Sequence, residues 1–255
     1  MNRKIKTIIM TVLLCASLIM PALAAVRTGT GAITLAAAPV GAAVSGTGTT
    51  GPSYGKVPST ATVLVVVESN GEEKNATGSL SVYSRKSSTD PWKAEIKDAA
   101  AYMGRNGMGK VKEGDQKTPC GMFTMNTPFG IKDKEAGFPD NYLKLTDNYY
   151  WGGNSDRKTY NRLFDRRNAA SEDLKGSEHL IDADPEYNYA IDTGYNPDCV
   201  GGKGSALFLH CKGPKINTAG CIAVEEDIMK KVLTLYEDGK TVIIIDVKGN
   251  FAKYE

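Results

Sequence analysis

The chain has 255 residues, with 31 basic and 29 acidic side chains and a formal net charge of +2. That length fits one domain with appendages. The charge balance, with no basic stripe interleaved with aromatics, excludes a nucleic-acid partner. The positive excess belongs to the start of the chain: without Arg3, Lys4 and Lys6 the count is 28 basic against 29 acidic, a net −1.

Those three cations precede an almost wholly apolar run over residues 7–20, which Pro21 breaks, and Ala22-Leu23-Ala24 follows as a small-x-small cleavage site. The pattern predicts a secretory signal peptide over residues 1–24 and an exported, extracytoplasmic protein that meets the membrane only transiently. The run falls short of the roughly 20 residues that span a bilayer. Residues 25–58 are rich in Gly, Ala, Thr, Ser and Pro without hydrophobic periodicity. They predict a flexible linker, because such a segment buries too little apolar surface to offset its ordering entropy.

The folded part is expected over residues 59–255. Residues 62–68 form a β-branched run and predict a buried strand, followed by strands over 79–85 and 92–96. Short strands separated by Gly, Pro and Asn are expected around 121–125, 142–145, 187–193, 206–210 and 221–224, and a last buried strand over 241–247. Acidic Glu225, Glu226 and Asp227 open a helix whose face carries Ile228, Met229, Val232, Leu233 and Tyr236, and Asp238-Gly239 ends it. Residues 154–175 are polar and fit either a helix or a long loop over a cleft. The fold class expected is mainly β, a β-sandwich of mixed sheets with one clear helix near the C-terminus.

Five cysteines are present, of which Cys15 lies in the signal region. Cys120, Cys199, Cys211 and Cys221 remain, enough for disulfides in an exported protein. The two histidines are His179 and His210. His179 sits in the polar Gly176-Ser177-Glu178-His179 stretch and reads as a surface residue. His210 ends the apolar run Ser205-Ala206-Leu207-Phe208-Leu209, where the core would hold it facing a cleft. Thr218-Ala219-Gly220-Cys221 follows, and a hairpin-like connection would set Cys221 beside His210. An imidazole next to a thiol accepts its proton and makes a nucleophile. Gly220 allows close backbone approach, and amides around Ala219 and Gly220 would serve an oxyanion. A core cysteine with a structural histidine fits the same spacing. A zinc site is a further reading, since Cys199, His210, Cys211 and Cys221 fall within 23 residues. The CxxC and HxxxH spacings are missing, however, and His210 and Cys211 point apart on a strand. No metal and no cofactor are expected.

Gly204-Ser205-Ala206-Leu207-Phe208-Leu209-His210 followed by Thr218-Ala219-Gly220-Cys221-Ile222-Ala223 resembles the catalytic block of the L,D-transpeptidase (YkuD-like) family. Glu113-Gly114-Asp115-Gln116-Lys117-Thr118-Pro119-Cys120-Gly121-Met122-Phe123 resembles its upstream segment. The resemblance covers roughly residues 60–247. It implies a largely β extracytoplasmic domain acting on peptidoglycan stem peptides. Its cysteine attacks the carbonyl of the third stem residue, expels the terminal D-alanine, and passes the acyl group to an amine or to water. By position it makes Cys221 the nucleophile, His210 the general base, and the Cys211 carbonyl the group that orients the imidazole. Ala219 stands where the family usually has a second histidine, Ala223 where it has a polar residue, and the interval from His210 to Cys221 is shorter than usual. Lys117, Tyr160, Asn161, Tyr195 and Asn196 are candidate substrate contacts. A transpeptidase is the first reading. An L,D-carboxypeptidase and a wall-binding module altered at its catalytic residues are the alternatives. A papain-like peptidase ranks last, because its cysteine precedes its histidine.

Overall fold

A computed structural model of the chain describes residues 51–255. The expected signal peptide and linker residues 25–50 lie outside the described residues. The last residues of the expected linker do not hang free. The Gly51 amide donates to the Trp92 carbonyl (2.8 Å), that of Lys56 to the Tyr254 carbonyl (3.0 Å), and Val57 is buried. Ordered packing therefore begins before residue 59.

The fold is mainly β. The strands, in chain order, are β1 (Val63–Ser69), β2 (Thr77–Ser84), β3 (Lys93–Tyr102), β4 (Gly121–Thr124), β5 (Pro128–Gly130), β6 (Leu143–Lys144) and β7 (Tyr149–Trp151). They continue as β8 (Leu163–Asp165), β9 (Glu178–His179), β10 (Ala190–Asp192), β11 (Phe208–Cys211), β12 (Ile222–Val224) and β13 (Thr241–Val247). A short helix, α1 (Ser171–Leu174), precedes β9, and the expected C-terminal helix is α2 (Glu226–Leu235). Ten strands form one mixed sheet in the order β4-β13-β1-β2-β3-β12-β11-β10-β5-β6. β1 runs parallel to β13 and antiparallel to β2, and β11 runs parallel to β12.

The sheet has two halves that meet at one residue pair, Ala223 of β12 opposite Tyr102 of β3. Alternation along the strands explains how they pack. Val63, Val65 and Val67 of β1, with Ile243 and Ile245 of β13, share one core with Leu209, Cys211, Ile222 and Val224 of the other half. α2 covers this core with Met229, Val232 and Leu233, the face its sequence period marked. Burying such side chains contributes about 1.5–3 kcal/mol each. The reverse face of the first half holds Leu64, Val66, Val242 and Ile244 against Trp92, Phe251 and Tyr254. The reverse face of the second half holds Phe129, Tyr187, Phe208 and Cys221, and Trp151 closes over it.

Trp151 belongs to a separate sheet, ordered β8-β7-β9. Much of the ambiguous stretch 154–175 supplies that sheet. It contains β8, a 3-10 turn at Arg166–Asn168 and α1, so it is neither one helix nor a bare loop. Asp173 holds it together, accepting from Arg157 Nε (2.7 Å), Thr159 Oγ1 (3.2 Å) and the Ala170 amide (3.0 Å). β3 is longer than expected, because Asp98 has a positive φ of 50° and the pairing with β2 shifts register there. A β-bulge of this kind leaves one residue unpaired while the strand continues beyond it.

Candidate active site

β11 and β12 are neighbours, as the spacing of His210 and Cys221 suggested, but they are parallel and not a hairpin. The connection returns past the end of β3, where the Thr218 amide donates to the Met103 carbonyl (3.0 Å) and the Arg105 amide to the Thr218 carbonyl (2.9 Å). His210 pairs with Ala223 and Leu209 with Ile222. Cys221 therefore lies one step before β12, level with Phe208, and shares with Phe208 and His210 the sheet face that Trp151 covers.

The turn carrying Cys221 is pinned by two threonines. Thr118, fully buried, donates from Oγ1 to the Gly220 carbonyl (2.8 Å) and accepts from the Gly104 amide (2.9 Å). Thr218 Oγ1 donates to the Cys221 carbonyl (2.6 Å) and accepts from the Gly220 amide (3.1 Å). Gly220 has φ +142°, and a Cβ there would come within 2.8 Å of the Lys117 carbonyl oxygen. Only glycine meets both demands. The Gly220 amide, expected as an oxyanion donor, is thus engaged by Thr218. Ala219 is exposed and lines the cavity beside Cys221.

The imidazole is fixed by a backbone carbonyl. His210 Nδ1 lies 2.7 Å from the Cys211 oxygen. A carbonyl only accepts, so Nδ1 carries the proton and Nε2 keeps its lone pair. His210 is 5% exposed, its ring meets that of Tyr187 edge-on at 5.5 Å, and burial lowers its pKa while the Cys211 carbonyl opposes that fall. The thiol is unpaired. Its sulfur accepts from the Phe208 amide (3.4 Å) and donates to the Ala206 carbonyl (3.3 Å), and the imidazole is not among its hydrogen-bond partners. Burial pushes the Cys221 thiol up to about 12, against the pull of the Phe208 amide. Burial disfavours the charged form of both groups, and rotation about the Cys221 Cα–Cβ bond is the simplest motion that re-aims the sulfur.

A cavity of about 330 Å³ opens onto Cys221. Lys110, Glu113, Glu178, Tyr187, Ala206 and Ala219 are among its lining residues; His210 is not. Lys110 is already paired, its ammonium 2.9 Å from Asp115 Oδ1, with both side chains almost fully buried. Burial opposes ionisation of Asp115, yet that ammonium and the amides of Val111, Lys112 and Lys117 hold its carboxyl down to about 2.

The other sequence candidates mostly build the walls. Tyr160 donates to Glu113 Oε2 (2.8 Å) and accepts from the Gly204 amide (3.1 Å). Asn161 receives Trp151 Nε1 (3.1 Å) and the Ala206 amide (3.2 Å), and donates to the Tyr195 and Asn196 carbonyls. Asn196 is 1% exposed and spends its amide on Val200 and Gly204. Tyr195 packs edge-on against Phe123 and donates to the Lys203 carbonyl (3.0 Å). Lys117 presents its backbone to the nucleophile turn and is not among the residues of the cavity. The four potential zinc ligands do not converge: Cys211 faces the shared core, opposite His210 and Cys221, and bonds the Tyr189 carbonyl. His179 is not a free surface residue, since it stacks on Tyr150 at 4.4 Å and contacts Asp182 and Asp147. Sequence reasoning passed over Glu178 and Thr118. Glu178 is hidden in the same polar stretch as His179, and Thr118 is 102 residues from the carbonyl it holds.

An unpaired thiol and a backbone-held imidazole lie on one face of a mainly β sheet. A family model for the L,D-transpeptidase catalytic domain, YkuD, matches residues 76–245, from the start of β2 into β13 and around the whole cavity. The chain belongs to that family. Among solved structures it is similar to the helical cell shape determining protein Pgp2 from Campylobacter jejuni, at 19% identity and a TM-score of 0.41, covering 74% of this chain and 49% of that one. It is also similar to Bd1075 of Bdellovibrio bacteriovorus, at 18% identity and a TM-score of 0.37, covering 76% and 53%. The chain spans about half the length of these structures. No curated protein matches it. Among the described residues no helix is long and apolar enough to cross a membrane.

Proposed function

We propose that the protein is an exported peptidoglycan L,D-transpeptidase that works through an acyl-enzyme on Cys221. The observation that carries this reading is the unpaired Cys221 thiol lining a cavity, on the same sheet face as an imidazole whose Nδ1 is tied to the Cys211 carbonyl. Membership of the family supplies the substrate class, peptidoglycan stem peptides.

The chemistry follows from the geometry. A stem peptide entering the cavity displaces the thiol from the Ala206 carbonyl. The sulfur gives its proton to His210 Nε2, and the thiolate adds to the carbonyl of the third stem residue. The amides of Ala219 and Cys221 are the donors left on the turn for the oxyanion, because Gly220's is engaged. His210 then protonates the departing D-alanine amine, and an acceptor amine from a second stem resolves the thioester.

The test is intact-mass analysis of the protein mixed with a carbapenem, an acylating analogue of such stems, alongside Cys221→Ala. The expected result is one covalent adduct on the native protein and none on the variant. An adduct that persists on Cys221→Ala would overturn the assignment of the nucleophile.

A further inference from the structure

The thioester on Cys221 has to meet an amine, and amines arrive protonated at neutral pH. The cavity that Cys221 lines is also lined by Lys110, Glu113 and Glu178. Of its charged residues, Lys110 is neutralised by Asp115, which leaves Glu113 and Glu178. Glu113 Oε2 is occupied by the hydroxyls of Tyr160 and Ser205 (2.8 and 2.9 Å). Glu178 takes one hydrogen bond, from Tyr187 to its Oε1 at 2.7 Å, and of the two carboxylates it is the one whose charge bears on the Cys221 thiol. It is half-buried.

β9 sets this orientation. Glu178 pairs with Trp151, and His179 with Tyr150. Alternation sends Trp151 and Glu178 toward the site and stacks Tyr150 on His179 on the other face. The small sheet thus delivers one carboxyl to the cavity that Cys221 lines.

We propose, on the basis of the acyl-enzyme reading above, that Glu178 is the acceptor-side residue: it binds the attacking amine as its ammonium and takes a proton from it. The ammonium gives one proton to the Glu178 carboxylate. The freed amine nitrogen forms a bond to the thioester carbon, and the carbon–sulfur bond breaks with its electron pair passing to Sγ. A second nitrogen proton ends on the thiolate, the third stays on the new amide, and Glu178 returns its proton to solvent. Burial raises the pKa of Glu178 against the Tyr187 hydrogen bond, which makes its carboxylate a better base than an exposed one. Water needs no such anchor, so hydrolysis of the thioester does not depend on Glu178.

The experiment loads the full chain with a synthetic stem tetrapeptide and follows acyl-enzyme by intact mass. Aminolysis is then measured against rising concentrations of a second tetrapeptide bearing a free side-chain amine. Glu178→Gln is expected to form acyl-enzyme, which also shows that it is folded, and its aminolysis is read against its own rates of acylation and hydrolysis. Its rate of aminolysis falls about a hundredfold, and Glu178→Asp restores part of it. Unchanged aminolysis in Glu178→Gln overturns the proposal. Acylation and aminolysis falling together also overturn it, because Glu178 then serves the donor stem or the packing. If the native protein forms no acyl-enzyme, the functional reading itself fails and takes this proposal with it.

Discussion

At the scale of single residues, the surroundings of Cys221 oppose its ionisation. The Cys221 sulfur is lodged between the Phe208 amide and the Ala206 carbonyl, and burial holds the thiol up to about 12. A cysteine with a raised pKa yields thiolate only as pH climbs, whereas a preformed thiolate–imidazolium pair reacts at a constant rate well below neutrality. Alkylation of Cys221 by iodoacetamide, read by peptide mass mapping, is therefore expected to be slower at pH 7 than that of a free cysteine and to rise steadily through pH 9. A plateau reached below pH 7 would show the pair already formed.

At the scale of elements, the nucleophile turn borrows its rigidity from a distant segment. Thr118 joins the Gly220 carbonyl to the Gly104 amide from within the buried stretch that precedes β4. Thr118→Val keeps the shape and removes both bonds, leaving two buried backbone groups unpaired at about 1–3 kcal/mol each. The variant is expected to unfold at a lower denaturant concentration and to form acyl-enzyme about tenfold more slowly, because a misplaced nucleophile loses orientation. Native acylation in a destabilised Thr118→Val would limit the threonine to a packing role. α2 shows the opposite case, an element whose inner face was legible because its apolar period and its burial rest on the same residues.

At the scale of the whole molecule, acid stability depends on the loop that walls the cavity. Asp115 is held down to about 2 by Lys110 and three backbone amides. A carboxyl with a depressed folded pKa contributes stability above its unfolded value of about 3.9, and that stability is lost as pH falls through about 2. Asp115→Asn also leaves the buried Lys110 unpaired. It is expected to cost about 2–4 kcal/mol at pH 7, with native and variant stabilities converging between about pH 4 and pH 2. Urea titrations across that range test it, and a pH-independent difference would show that the ion pair is not its source. The core shared by the two half-sheets holds them together although they join through a single residue pair.

The sequence by itself determined the strands with a strong local pattern, β1, β2 and β13, the helix α2, and the adjacency of the segments that carry His210 and Cys221. In each, the signal lies in neighbouring residues: β-branched runs, an apolar period, a histidine closing an apolar strand. Only the tertiary structure decided that β11 and β12 are parallel, that the thiol rests away from the imidazole, and that the Gly220 amide is engaged by Thr218. It also decided that Tyr160, Asn161 and Asn196 build walls, and that Glu178 of a two-residue strand reaches the cavity. These features depend on contacts between segments tens of residues apart, and strands of two or three residues such as β7, β8 and β9 carry too few side chains for alternation to register in a sequence.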